Sequence, residues 1–119
     1  MHARSSIRVS EQIDGVHSWP DAPEHRFYLR SPHRHRFVVT VWIQVAHENR
    51  DVEFHDLQDR VRDMIRQGRE GVINFSSLSC EHIARQLLYD LAAYGYTPLR
   101  VKVMEDDECG AEVWNDDLS

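Results

Sequence analysis

Residues 33–47 read HRHRFVVTVWIQVAH and carry the clearest periodic pattern in the chain. Its odd-numbered positions carry two histidines, then Phe37 and a run of branched aliphatic residues, whereas its even-numbered positions are mixed. Such alternation is typical of a β-strand, whose successive side chains point to opposite faces. The stretch therefore predicts a long strand with one apolar face, and it places His33 and His35 on the same side.

The segments on either side of this strand predict three further strands and two helices. Alternation indicates the strands, and apolar residues at helical spacing indicate the helices. The predicted elements are a first strand from Ile7 to His17, a proline-rich loop over 18–32, a helix over Phe54–Gln67, a helix from the N-cap Ser79 to Gly95, and strands over Pro98–Glu105 and Ala111–Trp114.

The order of these elements, β-β-α-α-β-β, predicts an α+β fold. Strands at both ends of the chain with helices between them indicate an antiparallel four-stranded sheet with two helices on one face. A length of 119 residues suits one domain. We expect a single domain over 1–119 with its core between about 7 and 114.

The composition and charge of the chain indicate which partners and which cellular compartment to expect. The formal net charge of −6 argues against a nucleic-acid partner bound through its phosphates. No run approaches the roughly 20 apolar residues of a membrane span, and the first ten residues contain no apolar segment typical of a signal peptide. Cys80 and Cys109 form neither a CxxC pair nor a disulfide framework. We expect a cytoplasmic protein with no membrane partner.

Three of the eight histidines have positions suited to a metal ion. His33 and His35 point to one side of their strand, and a hairpin would bring His17, at the end of the preceding strand, opposite them. Three imidazoles with an open fourth position are typical of catalytic zinc. The sequence predicts a Zn²⁺ site of His17, His33 and His35, against the alternative of surface histidines at a strand start.

A carboxylate on the last long strand is the second feature of interest. Glu105 continues the apolar face of Leu99, Val101 and Val103, so alternation turns it toward the covered side. Burying a carboxylate without a partner is costly. Either Glu105 meets a cationic or N–H-rich ligand, or the strand frays and Glu105 joins the solvated acidic run over 105–108.

From about Ile7 to Trp114 the chain resembles the 6-pyruvoyl- and 6-carboxy-tetrahydropterin synthase family, which has the T-fold. The matching stretches are Gly15-Val16-His17, His33-Arg34-His35, Val52–Leu57, Ser79–Ala84 and Val101–Glu105. The resemblance implies a zinc-dependent, pterin-forming lyase that acts on dihydroneopterin triphosphate or a related pterin, in a deazaguanine, biopterin or folate pathway. It also implies a homo-oligomer, a trimer or hexamer.

The resemblance assigns roles to individual residues. The three histidines would bind zinc, which would polarise the oxygens of the substrate side chain. Glu105 would accept hydrogen bonds from the N–H groups of the pterin ring. Ser79 and Cys80 would line the pterin pocket, partly through their backbone.

The chain also departs from the family pattern. Leu29 stands where the family has a catalytic cysteine, and residues 69–77 contain neither Asp nor His where the family has Leu-Asp-His. Glu24, His25 and Tyr28 are candidate replacements for the missing base. Two alternatives stay open: a non-catalytic, zinc-containing T-fold protein that binds a pterin or purine-like ligand, and an unrelated three-histidine zinc hydrolase.

Overall fold

The computed structural model describes residues 1–118, and its main elements follow the predicted order. They are the strands β1 (Ser5–His17), β2 (His33–Val45), β3 (Ile73–Asn74), β4 (Pro98–Glu105) and β5 (Cys109–Trp114), the helices α1 (Phe54–Arg66) and α2 (Cys80–Tyr94), and short 3₁₀ segments at Glu24–Leu29 and Asp116–Leu118. Neither α1 nor α2 is long and apolar enough to cross a lipid bilayer.

The strands form one sheet in the order β3-β1-β2-β4-β5. The predicted α+β class and the antiparallel pairing of the four long strands are confirmed. The predicted strand count is one too low, because β3 adds a fifth strand that runs parallel to β1. Its two residues are too few to show any alternation, so the sequence pattern could not reveal it.

The register of the sheet brings distant residues to one end. β1 and β2 pair without interruption over 13 residues, and His17 lies opposite His33. β2 pairs with β4 so that Phe37, two residues beyond His35, lies opposite Glu105. The ends of three strands therefore place these histidines and this carboxylate next to one another.

The core lies between the helices and one face of the sheet, which includes the odd-numbered residues of β2. Phe37, Val39, Val41 and Ile43 are completely buried there. The helical residues that pack in the same cluster are Leu57, Val61, Ile65, Cys80, Ile83, Ala84, Leu87, Leu88 and Leu91. Burying large apolar side chains is the main stabilising contribution to such a fold.

Local capping interactions fix where the helices begin. The Glu53 carboxylate accepts a hydrogen bond from the Asp56 amide at the start of α1, and the Ser79 hydroxyl accepts one from the His82 amide at the start of α2. Such caps satisfy amides that have no partner inside the helix. The cap at Ser79 fixes the start of α2 beside the histidine-bearing end of the sheet.

Close packing requires a glycine on β1. A Cβ atom at Gly15 would lie 2.5 Å from the ring of Phe75 and 2.8 Å from the ring of Phe37. Both rings are buried, so neither has free space to move into. The absence of a side chain at Gly15 lets these rings fill the space beneath the histidines.

Candidate metal centre and its cavity

The structure brings His17, His33 and His35 into one cluster. One ring nitrogen from each lies within 4.8 Å of the others. The ring centroids of His17 and His33 are 4.7 Å apart, and those of His33 and His35 are 5.0 Å apart. The His17 side chain is almost fully buried, whereas His33 and His35 are half-buried. The three imidazoles therefore have the proximity that a shared metal ion requires.

Each imidazole is oriented by a hydrogen bond at Nδ1. The three pairs are His17 with the Leu78 carbonyl at 2.9 Å, His33 with the Ser31 carbonyl at 3.0 Å, and His35 with the Asp106 carboxylate at 2.7 Å. These oxygens can only accept, so Nδ1 carries the proton in each neutral ring. The lone pair is then on Nε2, as in histidines that bind a metal through that atom.

One buried ring nitrogen of the cluster has no hydrogen-bond partner. His35 Nε2 is shielded from solvent and has no hydrogen-bond partner among residues 1–118. Leaving such an atom unsatisfied costs free energy. A divalent metal ion would satisfy this lone pair together with those of His17 and His33. The residues present therefore suit a metal ion.

Glu105 lies against the same cluster. Its Oε1 is 3.0 Å from His17 Nε2, and its Oε2 is 3.4 Å from His35 Nε2. The side chain is 28% exposed, and β4 continues through it. The carboxylate is therefore turned inward and does not belong to the solvated acidic run.

Cys80, at the start of α2, is a buried hydrogen-bond donor to this carboxylate. Its Sγ lies 3.6 Å from Glu105 Oε1. Burial and the neighbouring negative charge of Glu105 raise the pKa of the Cys80 thiol to about 12. The thiol therefore stays protonated at neutral pH and is a poor nucleophile.

A cavity of about 490 Å³ opens beside the histidines. Its lining includes the three residues that the resemblance assigns to a ligand, Ser79, Cys80 and Glu105, together with His17, Ser18, Trp19, Leu29, His33, Ser77, Leu78, Glu81, Cys109 and Gly110. Pockets that hold small molecules measure about 300–1,000 Å³. The cavity is therefore large enough for a fused two-ring ligand.

The three candidate bases lie elsewhere. Glu24, His25 and Tyr28 are exposed on the 3₁₀ segment, and none of them lines this cavity. The Glu24 carboxylate instead accepts a hydrogen bond from Arg30 at 3.2 Å. Leu29 does line the cavity. In the family that the sequence resembles, this position carries a cysteine. Here the position faces the cavity but carries the aliphatic side chain of Leu29.

Two carboxylates near the site were not singled out from the sequence. Asp106, which accepts the hydrogen bond of His35, belongs to the three-residue turn between β4 and β5. Both Asp106 and Asp107 have left-handed backbone conformations, and Asp is favoured in such hairpin turns. Glu81 lines the cavity, and its carboxylate makes no hydrogen bond or ion pair within the described chain.

Asp106 accepts hydrogen bonds from His35 Nδ1 and from the Arg36 amide, one on each carboxylate oxygen. An Asn side chain has only one accepting oxygen and no charge, so Asp106→Asn is expected to weaken zinc binding by about 10–100-fold, the usual effect of altering the group behind a metal-binding histidine. Asn tolerates the left-handed backbone at this position, so the turn is kept. Zinc titration against a competing chelator measures the change. Asp107→Asn removes the same charge from the neighbouring turn residue and should bind zinc as the wild type does. Equal affinity of the two variants would contradict a role for Asp106.

Comparisons with known proteins show that the fold is similar to that of two solved structures. No family model and no curated protein matches the sequence. The structure of the uncharacterized protein WS1659 from Wolinella succinogenes matches 97% of this chain and 100% of its own, with a TM-score of 0.72 and 14% identity. That of Caenorhabditis elegans 6-pyruvoyl tetrahydropterin synthase matches 96% of this chain and 97% of its own, with a TM-score of 0.66 and 9% identity. The chain therefore has the T-fold seen in 6-pyruvoyl tetrahydropterin synthase.

Proposed function

We propose that the protein is a zinc-dependent lyase of the tetrahydropterin synthase type that acts on dihydroneopterin triphosphate or a related pterin. The observation that carries this proposal is the convergence of three imidazoles, two of which, His17 and His33, line a cavity of about 490 Å³. The T-fold shared with a pterin synthase supports the same class of ligand.

In this proposal the histidines hold a zinc ion at one end of the cavity. His17, His33 and His35 bind through Nε2, because their Nδ1 atoms are committed to oxygen acceptors. A bound zinc ion supplies a Lewis acid that polarises oxygens of the substrate side chain. The Nδ1 hydrogen bonds keep the rings in the binding orientation, so little reorganisation is needed on loading.

The remaining cavity residues suit a flat, polar ring. Trp19, Leu29 and Leu78 give the cavity an apolar surface. The N–H edge of a pterin needs a carboxylate acceptor, and the cavity lining contains two carboxylates, those of Glu81 and Glu105. We assign the ring edge to Glu105, as the resemblance implies, because its carboxylate is turned inward at the end of β4 and lines the cavity.

A lyase of this type must also move a proton at a carbon next to a carbonyl, which needs a positioned acid or base. The thiol of Cys80 is unsuited as the base, since its raised pKa keeps it protonated. Three other titratable groups line the cavity besides the histidines, and they are Glu81, Glu105 and Cys109. We propose that the proton moves through one of these groups.

One observation favours a second function, a pterin- or purine-binding protein without lyase activity. Leu29 occupies the cavity wall at the position of the family cysteine and cannot transfer a proton. The histidine cluster and the cavity would then bind the ligand without converting it. The two functions predict the same binding and differ only in whether the ligand is converted.

We also propose that the chain forms a homo-oligomer through its sheet edges. β5 is an edge strand, and on its outer side β1 pairs with β3 only at Gly15 and Val16. Exposed edges of this kind readily pair with another chain. Sedimentation analysis should give the mass of a trimer or hexamer, and a mass equal to one chain would contradict this proposal.

Incubation of the zinc-loaded protein with dihydroneopterin triphosphate tests the function. The lyase predicts loss of substrate with a new pterin product in the chromatogram, and Glu105→Gln is expected to weaken binding of the fluorescent probe neopterin about tenfold or more. Binding of neopterin without conversion of the substrate would establish the second function instead. Absence of any pterin binding would overturn both.

A further inference from the structure

We infer that strand β5 of one chain pairs with strand β1 of a second copy of the chain, and that Trp114 then packs against Arg8 of the partner subunit. This inference rests on the proposed homo-oligomer, and it is independent of the metal ion and of the ligand. It names the two strands that meet and the side chains that join them.

The face of the sheet that points away from the helices carries a row of alternating arginine and tryptophan side chains. Arg8 lies opposite Trp42, Trp42 lies opposite Arg100, and Arg100 lies opposite Trp114. Residues directly opposite each other on antiparallel strands share one face of the sheet. Within this row the Arg100 guanidinium lies 3.8 Å from the centre of the Trp42 ring. An arginine and a tryptophan on neighbouring strands therefore stack in this sheet.

The two ends of the row have no such partner. Arg8 is exposed, and its side chain makes no hydrogen bond, ion pair or ring contact with residues 1–118. Trp114 is 59% exposed, and its ring contacts no other ring or cation among the same residues. Arginine and the face of a tryptophan ring attract each other. The two ends are therefore complementary, but three strand spacings, about 14 Å, separate them within one chain.

Both edges of the sheet are open to a second copy. Within the described chain, no strand lies on the outer side of β5, and on the outer side of β1 only Gly15 and Val16 pair with β3. The four long strands alternate in direction, so β5 runs opposite to β1. A second copy in the same orientation therefore presents its β1 antiparallel to β5. The sheet can then continue from one copy into the next, as in a head-to-tail ring.

The length of the free edge leaves two registers. β5 has six residues, and the part of β1 that precedes Gly15 is free on its outer side. Trp114 must lie opposite an even-numbered residue of β1, because those residues share its face. If all of β5 pairs without reaching β3, Trp114 lies opposite Arg8 or Ser6 of the partner subunit. In the second case Arg8 is a diagonal neighbour, which long side chains still reach.

Sedimentation analysis of two variants tests the contact. Arg8→Glu and Trp114→Ala are each expected to weaken association about tenfold or more, because tryptophan and arginine contribute much of the binding free energy at interfaces. Arg26→Glu and Phe27→Ala make comparable changes at exposed residues of the 3₁₀ segment, and they should associate as the wild type does. Equal association of all four variants and the wild type overturns the inference.

Disulfide cross-linking tests the register. In a Cys109→Ser background, one of the pairs Arg8→Cys/Trp114→Cys and Ser6→Cys/Trp114→Cys should link two chains on oxidation, because opposite residues lie at a distance that a disulfide spans. Within one chain both pairs are about 14 Å or more apart, so a link can join only two copies. Each single cysteine substitution should give no link. Absence of a link in both pairs overturns the inference.

The outcomes separate this inference from the proposals around it. A wild-type protein with the mass of one chain overturns both the oligomer and this contact. An oligomeric wild type in which neither cysteine pair links overturns the contact alone. Arg8→Glu changes an exposed side chain, so it decides the contact if Trp114→Ala does not fold. Zinc binding and pterin conversion are measured separately, and none of these results bears on them.

Discussion

The His33→Ala variant is expected to retain far less than one zinc ion per chain after dialysis. His33 supplies one of only three imidazoles in the cluster, and its Nδ1 is already held by the Ser31 carbonyl. Removing a direct ligand should weaken binding by more than about 100-fold, beyond the loss seen for supporting residues. Elemental analysis of the purified, dialysed protein measures the bound zinc.

A second histidine provides the matched control for this measurement. His25 is exposed on the 3₁₀ segment and lies outside both the cluster and the cavity. His25→Ala removes the same side chain and should retain the same zinc content as the wild type. A His33→Ala protein that still carries one zinc ion per chain would show that the cluster is not the binding site.

The Phe37→Ala variant is expected to lose about 3–5 kcal/mol of unfolding free energy, as buried aromatic residues usually do when truncated. Phe37 is completely buried, and its ring contacts those of His17, His35 and Phe75, with centroids 5.2, 5.9 and 4.9 Å away. A cavity in its place would also loosen both histidines. We therefore expect lower zinc affinity together with lower stability.

Urea unfolding of the metal-free protein and zinc titration of the folded protein measure these two effects separately. Val41→Ala is the control, because Val41 is equally buried on the same strand but lies four residues further from the histidines. It should reduce stability and leave zinc affinity within about twofold, as distant sites act independently. Identical zinc affinity of Phe37→Ala and the wild type would show that Phe37 does not position the cluster.

Much of the fold can be read from the sequence because its periodicities are local. The alternation in 33–47 identifies β2, and the helical spacing after Phe54 and Ser79 identifies α1 and α2. The strand β3 could not be predicted, since two residues are too few to show an alternating pattern and their pairing with β1 depends on the rest of the chain. The sequence therefore reveals the four long strands and misses the short fifth one.

The candidate site can be predicted only in part, because some of its contacts join residues that are far apart in the sequence. Alternation places His33 and His35 on one face, and the hairpin brings His17 to them. The acceptors for His17 and His35 lie 61 and 71 residues further along the chain, at Leu78 and Asp106. No local pattern encodes such contacts, so they follow only from the assembled sheet and the start of α2.

The central claim is that imidazoles from β1 and β2 hold one divalent ion, and calorimetric titration of zinc into the metal-free protein tests it most directly. The account predicts saturable binding of one zinc ion per chain, through the Nε2 atoms of His17, His33 and His35. A titration with no saturable binding, in protein whose folded state is verified by circular dichroism, would contradict it.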